Sequence, residues 1–115
     1  TMADAMTHFD IKKGWFSKID GGNLKTLMEE VFGSVKEEGE LLVSSYGAMA
    51  RIEAKIVSKT VLDVATTNVD DTKALSDEEI LNSKRKLNEF LEKATGFDAK
   101  ARMKRAQQKA KKGEL

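Results

Sequence analysis

The residues most clearly suited to chemistry are basic side chains concentrated near the C-terminal end of the chain. Residues 98–115 contain seven Lys and Arg but two Asp and Glu, a net charge of +5, whereas residues 1–97 carry −4. Basic helices bind phosphates by releasing condensed counterions, which gives affinity without reading a base sequence. We therefore predict phosphate contacts with RNA or another polyanion for Lys100, Arg102, Lys104, Arg105, Lys109, Lys111 and Lys112.

These residues lie in a segment, 99–112, that consists almost wholly of strong helix formers. Its apolar stripe contains only Ala99, Met103, Ala106 and Ala110. Because a helix that lies on a membrane surface uses larger apolar side chains, we predict no membrane partner. An isolated helix of this length is only marginally stable in water, so a solvated terminal extension is the alternative to a nucleic-acid role. The sequence favours neither the nucleic-acid role nor the solvated extension.

The rest of the chain shows no recognised catalytic or metal-binding pattern. It lacks the glycine-rich phosphate loops, the GxSxG nucleophile motif and the HExxH zinc motif, and His8 is its single histidine. Asp70 and Asp71 are weak candidates for a magnesium site because they fall in a predicted loop, although adjacent carboxylates are usually solvated surface charges. We predict no catalytic residue, no cofactor and no metal. The sequence favours a protein without enzymatic activity over an enzyme.

Two short matches to functional motifs carry little weight. The segment Lys13-Gly14-Trp15-Phe16 is similar to the start of an RNA-recognition strand motif, in which aromatic rings stack on bases. The following residues do not continue that motif, so Trp15 is expected in the core or at its rim. Ser83 and Lys86 have the SxxK spacing of a serine-enzyme family whose partner motifs are missing.

Length and composition narrow the class of protein. A chain of 115 residues fits one hydrophobic core, and the absence of cysteine excludes disulfides and thiolate metal sites. No apolar run approaches the roughly 18 residues of a membrane-spanning helix, and the first residues lack the pattern of a signal peptide. These observations predict a cytoplasmic protein.

Hydrophobic periodicity predicts the secondary structure. Alternation over 9–11 indicates a strand, and the spacing of apolar residues over 24–31 indicates a helix that ends at Gly33. From 34 to 69 the period changes to two, which predicts three strands in a meander and leaves a further strand at 34–37 open. Ala50 is expected on the apolar side of this alternation and Glu53 on the wetter side.

A second long helix is predicted between Ser76, followed by acidic residues in the arrangement of a capping box, and Gly96. The predicted fold class is α+β, with an antiparallel sheet of about four strands, two helices on one face in β-α-β-β-β-α order, and a C-terminal basic helix. The predicted organisation is a loose N-terminus at 1–8, one domain at 9–97 and a basic helical extension at 98–115.

The segment from Asn88 to Arg102, NEFLEKATGFDAKAR, resembles an NxFLxxATGxxAKxR segment of a domain-of-unknown-function family of short archaeal proteins. Lys12-Lys13-Gly14 and Tyr46-Gly47 are similar to that family too. The resemblance implies an archaeal intracellular protein and supplies no activity. Independently of the family, Gly96 is expected to turn the chain and Asp98 to cap a helix whose Lys100 and Arg102 face outward.

Three functions follow from these observations. A non-enzymatic nucleic-acid or ribonucleoprotein accessory module would use the basic helix. A small-ligand or enzymatic domain would use a cleft between sheet and helices, recognisable by convergent polar groups. A self-associating scaffold would form a homodimer through an exposed strand edge or apolar patch.

Overall fold

A five-stranded antiparallel sheet forms the centre of the protein, which is seen here in a computed structural model that describes residues 6–111. The strands are β1 Thr7–Asp10, β2 Lys36–Glu38, β3 Leu41–Tyr46, β4 Met49–Ser58 and β5 Val61–Asn68. Their order in the sheet is β1-β5-β4-β3-β2, so that β2 to β5 form a meander and β1 pairs with β5 at the other edge. The predicted α+β class with an antiparallel sheet is thereby confirmed.

Three α-helices accompany the sheet: α1 Asn23–Phe32, α2 Asp77–Thr95 and α3 Ala99–Lys111. Two short 3-10 turns, Phe16–Lys18 and Thr72–Ala74, precede α1 and α2. The predicted capping box is present, since Ser76 Oγ accepts from the Glu79 amide at 3.1 Å and Glu79 Oε1 accepts from the Ser76 amide at 3.0 Å. Gly96, with a φ of 81°, ends α2 as predicted. Among residues 6–111, no helix is both long and apolar enough to cross a membrane.

One face of the sheet packs against α1 and α2. Side chains alternate along strands, and Leu62 and Val64 lie on the same face as their register partners Ile56 and Ala54. This face shares one core with the helices, in which Phe90 of α2 is fully buried and lies 5.4 Å from the Phe32 ring between centroids. The helical contribution to the core is Leu24, Met28, Val31, Phe32, Phe90, Leu91 and Ala94.

The opposite face of the sheet carries a row of ion pairs, which we call the ion band: Lys36, Glu38, Arg51 and Glu53. Arg51 Nη2 lies 2.6 Å from Glu38 Oε1, and Arg51 Nε lies 2.8 Å from Glu53 Oε2. The hydrogen bonds that Glu38 accepts from Arg51 and Lys36 lower the pKa of Glu38 to about 2. Glu53 is only 2% exposed, so its expected position on a wetter surface is wrong. The ion pair with Arg51 offsets part of the cost of burying that charge.

The sheet has five strands where about four were predicted, because Lys36–Glu38 is a strand. This strand has three charged residues and no apolar alternation, so only its pairing with β3 defines it. A second correction concerns Ala50, which is exposed although alternation placed it on the apolar side. The register shifts between Met49 and Arg51, and this irregularity brings Met49 into the core instead.

Candidate nucleic-acid interface

The joint between α2 and α3 is fixed by the chain segment that follows β1. The Lys12 amide donates to the Thr95 carbonyl at 2.7 Å, and Trp15 Nε1 donates to the Lys93 carbonyl at 2.8 Å. A Cβ atom at Gly96 would lie 2.8 Å from the Trp15 ring, too close for any other residue. Trp15 is half-buried against the core, which agrees with its expected place at the rim. Two of the three segments that carry the family resemblance, 12–14 and 88–102, thus contact each other at this joint.

Helix α3 begins with the predicted cap, because Asp98 Oδ1 accepts from the Ala101 amide at 2.8 Å. Arg102 then turns back to the joint and does not face outward as expected. Its Nη1 donates to the Phe97 carbonyl at 2.6 Å and its Nη2 to Asn88 Oδ1 at 2.7 Å. Partial burial lowers the pKa of Arg102, and the negative charges of Glu92 and Asp98 offset part of that effect. Arg102 therefore fixes the direction of α3.

Asp10 of the edge strand β1 holds the middle of α3. Arg105 Nε lies 2.9 Å from Asp10 Oδ2, and Lys109 Nζ lies 2.6 Å from Asp10 Oδ1. The Arg105 guanidinium also lies 4.6 Å from the centroid of the Phe97 ring. Burial raises the pKa of Asp10, but hydrogen bonds and charge from Lys109 and Arg105 outweigh it, and the pKa falls below its ordinary value. Asp10 is thus an ionised anchor for two predicted phosphate contacts.

The remaining predicted contacts belong to the opposite side of α3. Lys100 and Lys104 are exposed, and neither makes a salt bridge within the part of the chain that the structure describes. Lys100 and Lys104 are four residues apart and therefore lie on one side of the helix. The backbone of Lys111, seven residues after Lys104, lies on the same side. Lys112 lies outside the described residues. We call Lys100, Lys104 and Lys111 the outer stripe.

Further positive charge, on Lys12, Lys13 and Lys18, lies beside the same joint. These lysines were not among the phosphate contacts predicted from the sequence. Lys12 and Lys18 place their Nζ atoms 5.9 and 5.2 Å from the Trp15 ring centroid, and Lys13 is exposed between them in sequence. Among residues 6–111, none of these three lysines forms a salt bridge. The Lys12-Lys13-Gly14 segment shows this charge in the sequence, but its position beside the joint depends on the packing of Lys12 and Trp15 against Gly96.

Two weaker candidates for chemistry, Asp71 and His8, make structural contacts in the described residues. Asp71 Oδ1 accepts from the Lys73 amide at 3.1 Å and so caps a 3-10 turn. Within residues 6–111, neither Asp70 nor Asp71 belongs to a group of three or more potential metal ligands. His8 pairs with Asp63 across β1 and β5.

Ser83 of the SxxK match attaches α2 to the hairpin between β3 and β4. Its hydroxyl accepts from the Ala48 amide at 2.8 Å and donates to the Glu79 carbonyl at 2.9 Å. Both functions of the buried hydroxyl are therefore used by the fold, and Ser83 is a structural residue.

A cleft of about 420 Å³ opens between α2 and the ends of β4 and β5. It combines an apolar floor with several polar side chains at its wall. Its lining is Ala48, Met49, Thr66, Asn68, Thr72, Ile80, Ser83, Lys84 and Leu87. This cleft is the place in the fold that corresponds to the predicted alternative of a small-ligand domain.

Comparison with known proteins identifies a family without a described activity. No curated protein and no solved structure shows significant similarity to the chain. The sequence model of one family, described as Domain of unknown function (DUF5611), matches residues 6–108, a range that includes the sheet, α1, α2 and most of α3. The chain therefore belongs to the DUF5611 family.

Proposed function

We propose that the protein is a non-enzymatic module that binds RNA, alone or within a ribonucleoprotein, through α3. The observation that carries this proposal is the division of cations on α3. Arg105 and Lys109 are bound to Asp10, whereas Lys100 and Lys104 are exposed without an acidic partner among residues 6–111.

This division favours binding because it presents positive charge on a helix that is already ordered. If a helix of 13 residues became ordered only on binding, the conformational entropy that it loses would reduce the free energy of binding. Attachment to Asp10 and the bonds of Arg102 remove much of that cost. The outer stripe then supplies the phosphate contacts that electrostatic binding requires.

Arg102, Arg105 and Lys109 take a different role from the one that composition alone assigned to them. Each has an intramolecular acceptor and would have to exchange it for a phosphate. We therefore assign the first contacts to the outer stripe, with Lys12, Lys13 and Lys18 as an adjoining source of positive charge. Arg105 and Lys109 would contribute when a polyanion displaces Asp10.

The edges of the sheet do not favour a homodimer. Strand β2 is three charged residues long, which is typical of an edge protected against pairing. The other edge, β1, contacts α3 through Asp10. A homodimer, an archaeal origin and a cytoplasmic location remain predictions from the sequence.

The test is RNA and duplex DNA binding at several salt concentrations by the full chain and by a double variant, Lys100→Gln with Lys104→Gln. On duplex DNA the loss of two phosphate contacts flattens the log-log salt slope by about 2. The matched control is Lys59→Gln with Lys73→Gln, two exposed lysines outside α3. Equal affinities and slopes for both double variants would overturn the proposal.

A further inference from the structure

The cleft between α2 and the sheet has an apolar floor at the open end of the core. Met49 and Asn68 are register partners where β4 begins and β5 ends. Across from them, Ile80 and Leu87 line the cleft from α2. A volume of about 420 Å³ is within the range of small-molecule sites.

Polar side chains line the wall of this cleft. Thr66, Asn68 and Thr72 line it, and among residues 6–111 none of their side chains makes a hydrogen bond. Ser83 differs from them because its hydroxyl already binds Ala48 and Glu79. The wall of the cleft therefore offers two hydroxyls and one amide to a ligand.

Lys84 gives the cleft its charge. It lies four residues after Ile80 and three before Leu87, so it interrupts the apolar stripe of α2 that faces the cleft. Within the described residues it forms no salt bridge, in contrast to Lys86 and Lys93 of the same helix, which both pair with Glu89. The cation at the wall of the cleft is thus available to an anion.

We propose that this cleft binds a small organic carboxylate with an apolar body. Lys84 pairs with the carboxylate, and Thr66, Asn68 and Thr72 donate hydrogen bonds to its oxygens. Met49, Ile80 and Leu87 contact the apolar body. A cationic ligand of the same shape is excluded by Lys84, and charge-assisted hydrogen bonds make the pairing selective. The site is separate from the proposed RNA interface, because α3 contributes no residue to its lining.

The experiment compares two probes of equal length and opposite charge, octanoate and octylammonium, on the full chain. Backbone amide signals are followed by two-dimensional NMR during titration. Octanoate is expected to shift the amides of residues that line the cleft, with an affinity at least about tenfold above that of octylammonium. Absence of shifts at these amides with octanoate, or equal affinity for both probes, overturns the proposal.

Variants locate the source of selectivity. Lys84→Met keeps the length of the side chain and removes its charge, so octanoate affinity should fall about tenfold while octylammonium affinity does not fall. The matched control is Arg85→Met, since Arg85 is an exposed neighbour that does not line the cleft. Thermal unfolding verifies that both variants are folded. An equal loss in both variants contradicts the assignment of Lys84.

Discussion

Helices α2 and α3 meet at Gly96 but are held to the domain by different interactions. α2 buries Phe90, Leu91 and Ala94 in the core and is further attached by the Ser83 hydroxyl. α3 is held mainly by Arg102 at the joint and by the pairs that Asp10 forms. Salt screens partly exposed ion pairs such as those of Asp10, whereas apolar burial has no charge for it to screen. We therefore expect the attachment of α3 to the domain to weaken as the ionic strength rises, and the attachment of α2 to persist.

The largest effect is expected from Phe90→Ala in α2. The side chain is fully buried beside Phe32, and its loss removes apolar contacts and leaves a cavity. The free energy of unfolding should fall by about 3–5 kcal/mol. Urea denaturation measures this change, and a loss below about 1 kcal/mol would contradict the difference between the two helices.

Ser83→Ala tests the polar attachment of α2. Removal of the hydroxyl leaves the buried amide of Ala48 without an acceptor, since Ser83 Oγ is its partner at 2.8 Å. Stability should decrease by about 1–3 kcal/mol in the same denaturation assay. Ser45→Ala, at an exposed position of β3, serves as the control and should change stability little.

Truncation after Phe97 tests the attachment of α3. Its removal eliminates the partly buried ion pairs of Asp10, the hydrogen bonds of Arg102 and the contact of Arg105 with Phe97, but leaves the core of α1, α2 and the sheet intact. We expect cooperative thermal unfolding to persist, with a loss of about 1–2 kcal/mol. Loss of cooperative unfolding in the 1–97 chain would show that α3 is part of the core structure.

The smallest effect on global stability is expected from Asp10→Asn, at most about 1 kcal/mol. The local effect of the substitution should be clearer, because Arg105 and Lys109 lose the carboxylate with which they pair. Amide hydrogen exchange in α3 should accelerate, because the helix loses its attachment to β1. Unchanged exchange in α3 would contradict the role of Asp10.

Acid should reproduce the effect of that substitution. The folded pKa of Asp10 is lowered from its ordinary value of 3.8, so its contribution is complete above that value and is lost as the pH falls through the lower folded pKa. Chemical shifts of α3 amides should change in this acidic window in the native protein. In Asp10→Asn the amides around Arg105 and Lys109, the residues that pair with Asp10, should lack this transition.

Local signals explain what the sequence predicted correctly. The caps at Ser76, Gly96 and Asp98 depend on hydrogen bonds between near neighbours, so residue type and spacing identify them. Lys36–Glu38 is a strand only because of its pairing with β3, and Glu53 is buried beside Arg51. Neither the pairing of a charged strand nor the burial of a charged residue produces a hydrophobic pattern in the sequence.

The same distinction applies to the candidate sites. The basic character and helical structure of residues 99–111 are local properties, and both were predicted. The sorting of their cations depends on Asp10, which is 95 residues before Arg105 in the chain. Lys84 interrupts the apolar stripe of α2, which is a local pattern, but the polar residues opposite it come from β5 and the turn after it. Long-range packing thus decides which charges are available.

The contact of Trp15 with the joint gives the protein an internal optical reporter. Trp15 is the single tryptophan of the chain, and its indole N–H binds the Lys93 carbonyl next to Gly96. Its fluorescence emission therefore depends on the place where α2 ends and α3 departs. A change in the direction of α3, whether through salt, acid or a bound polyanion, should be detectable as a change in emission without any added label.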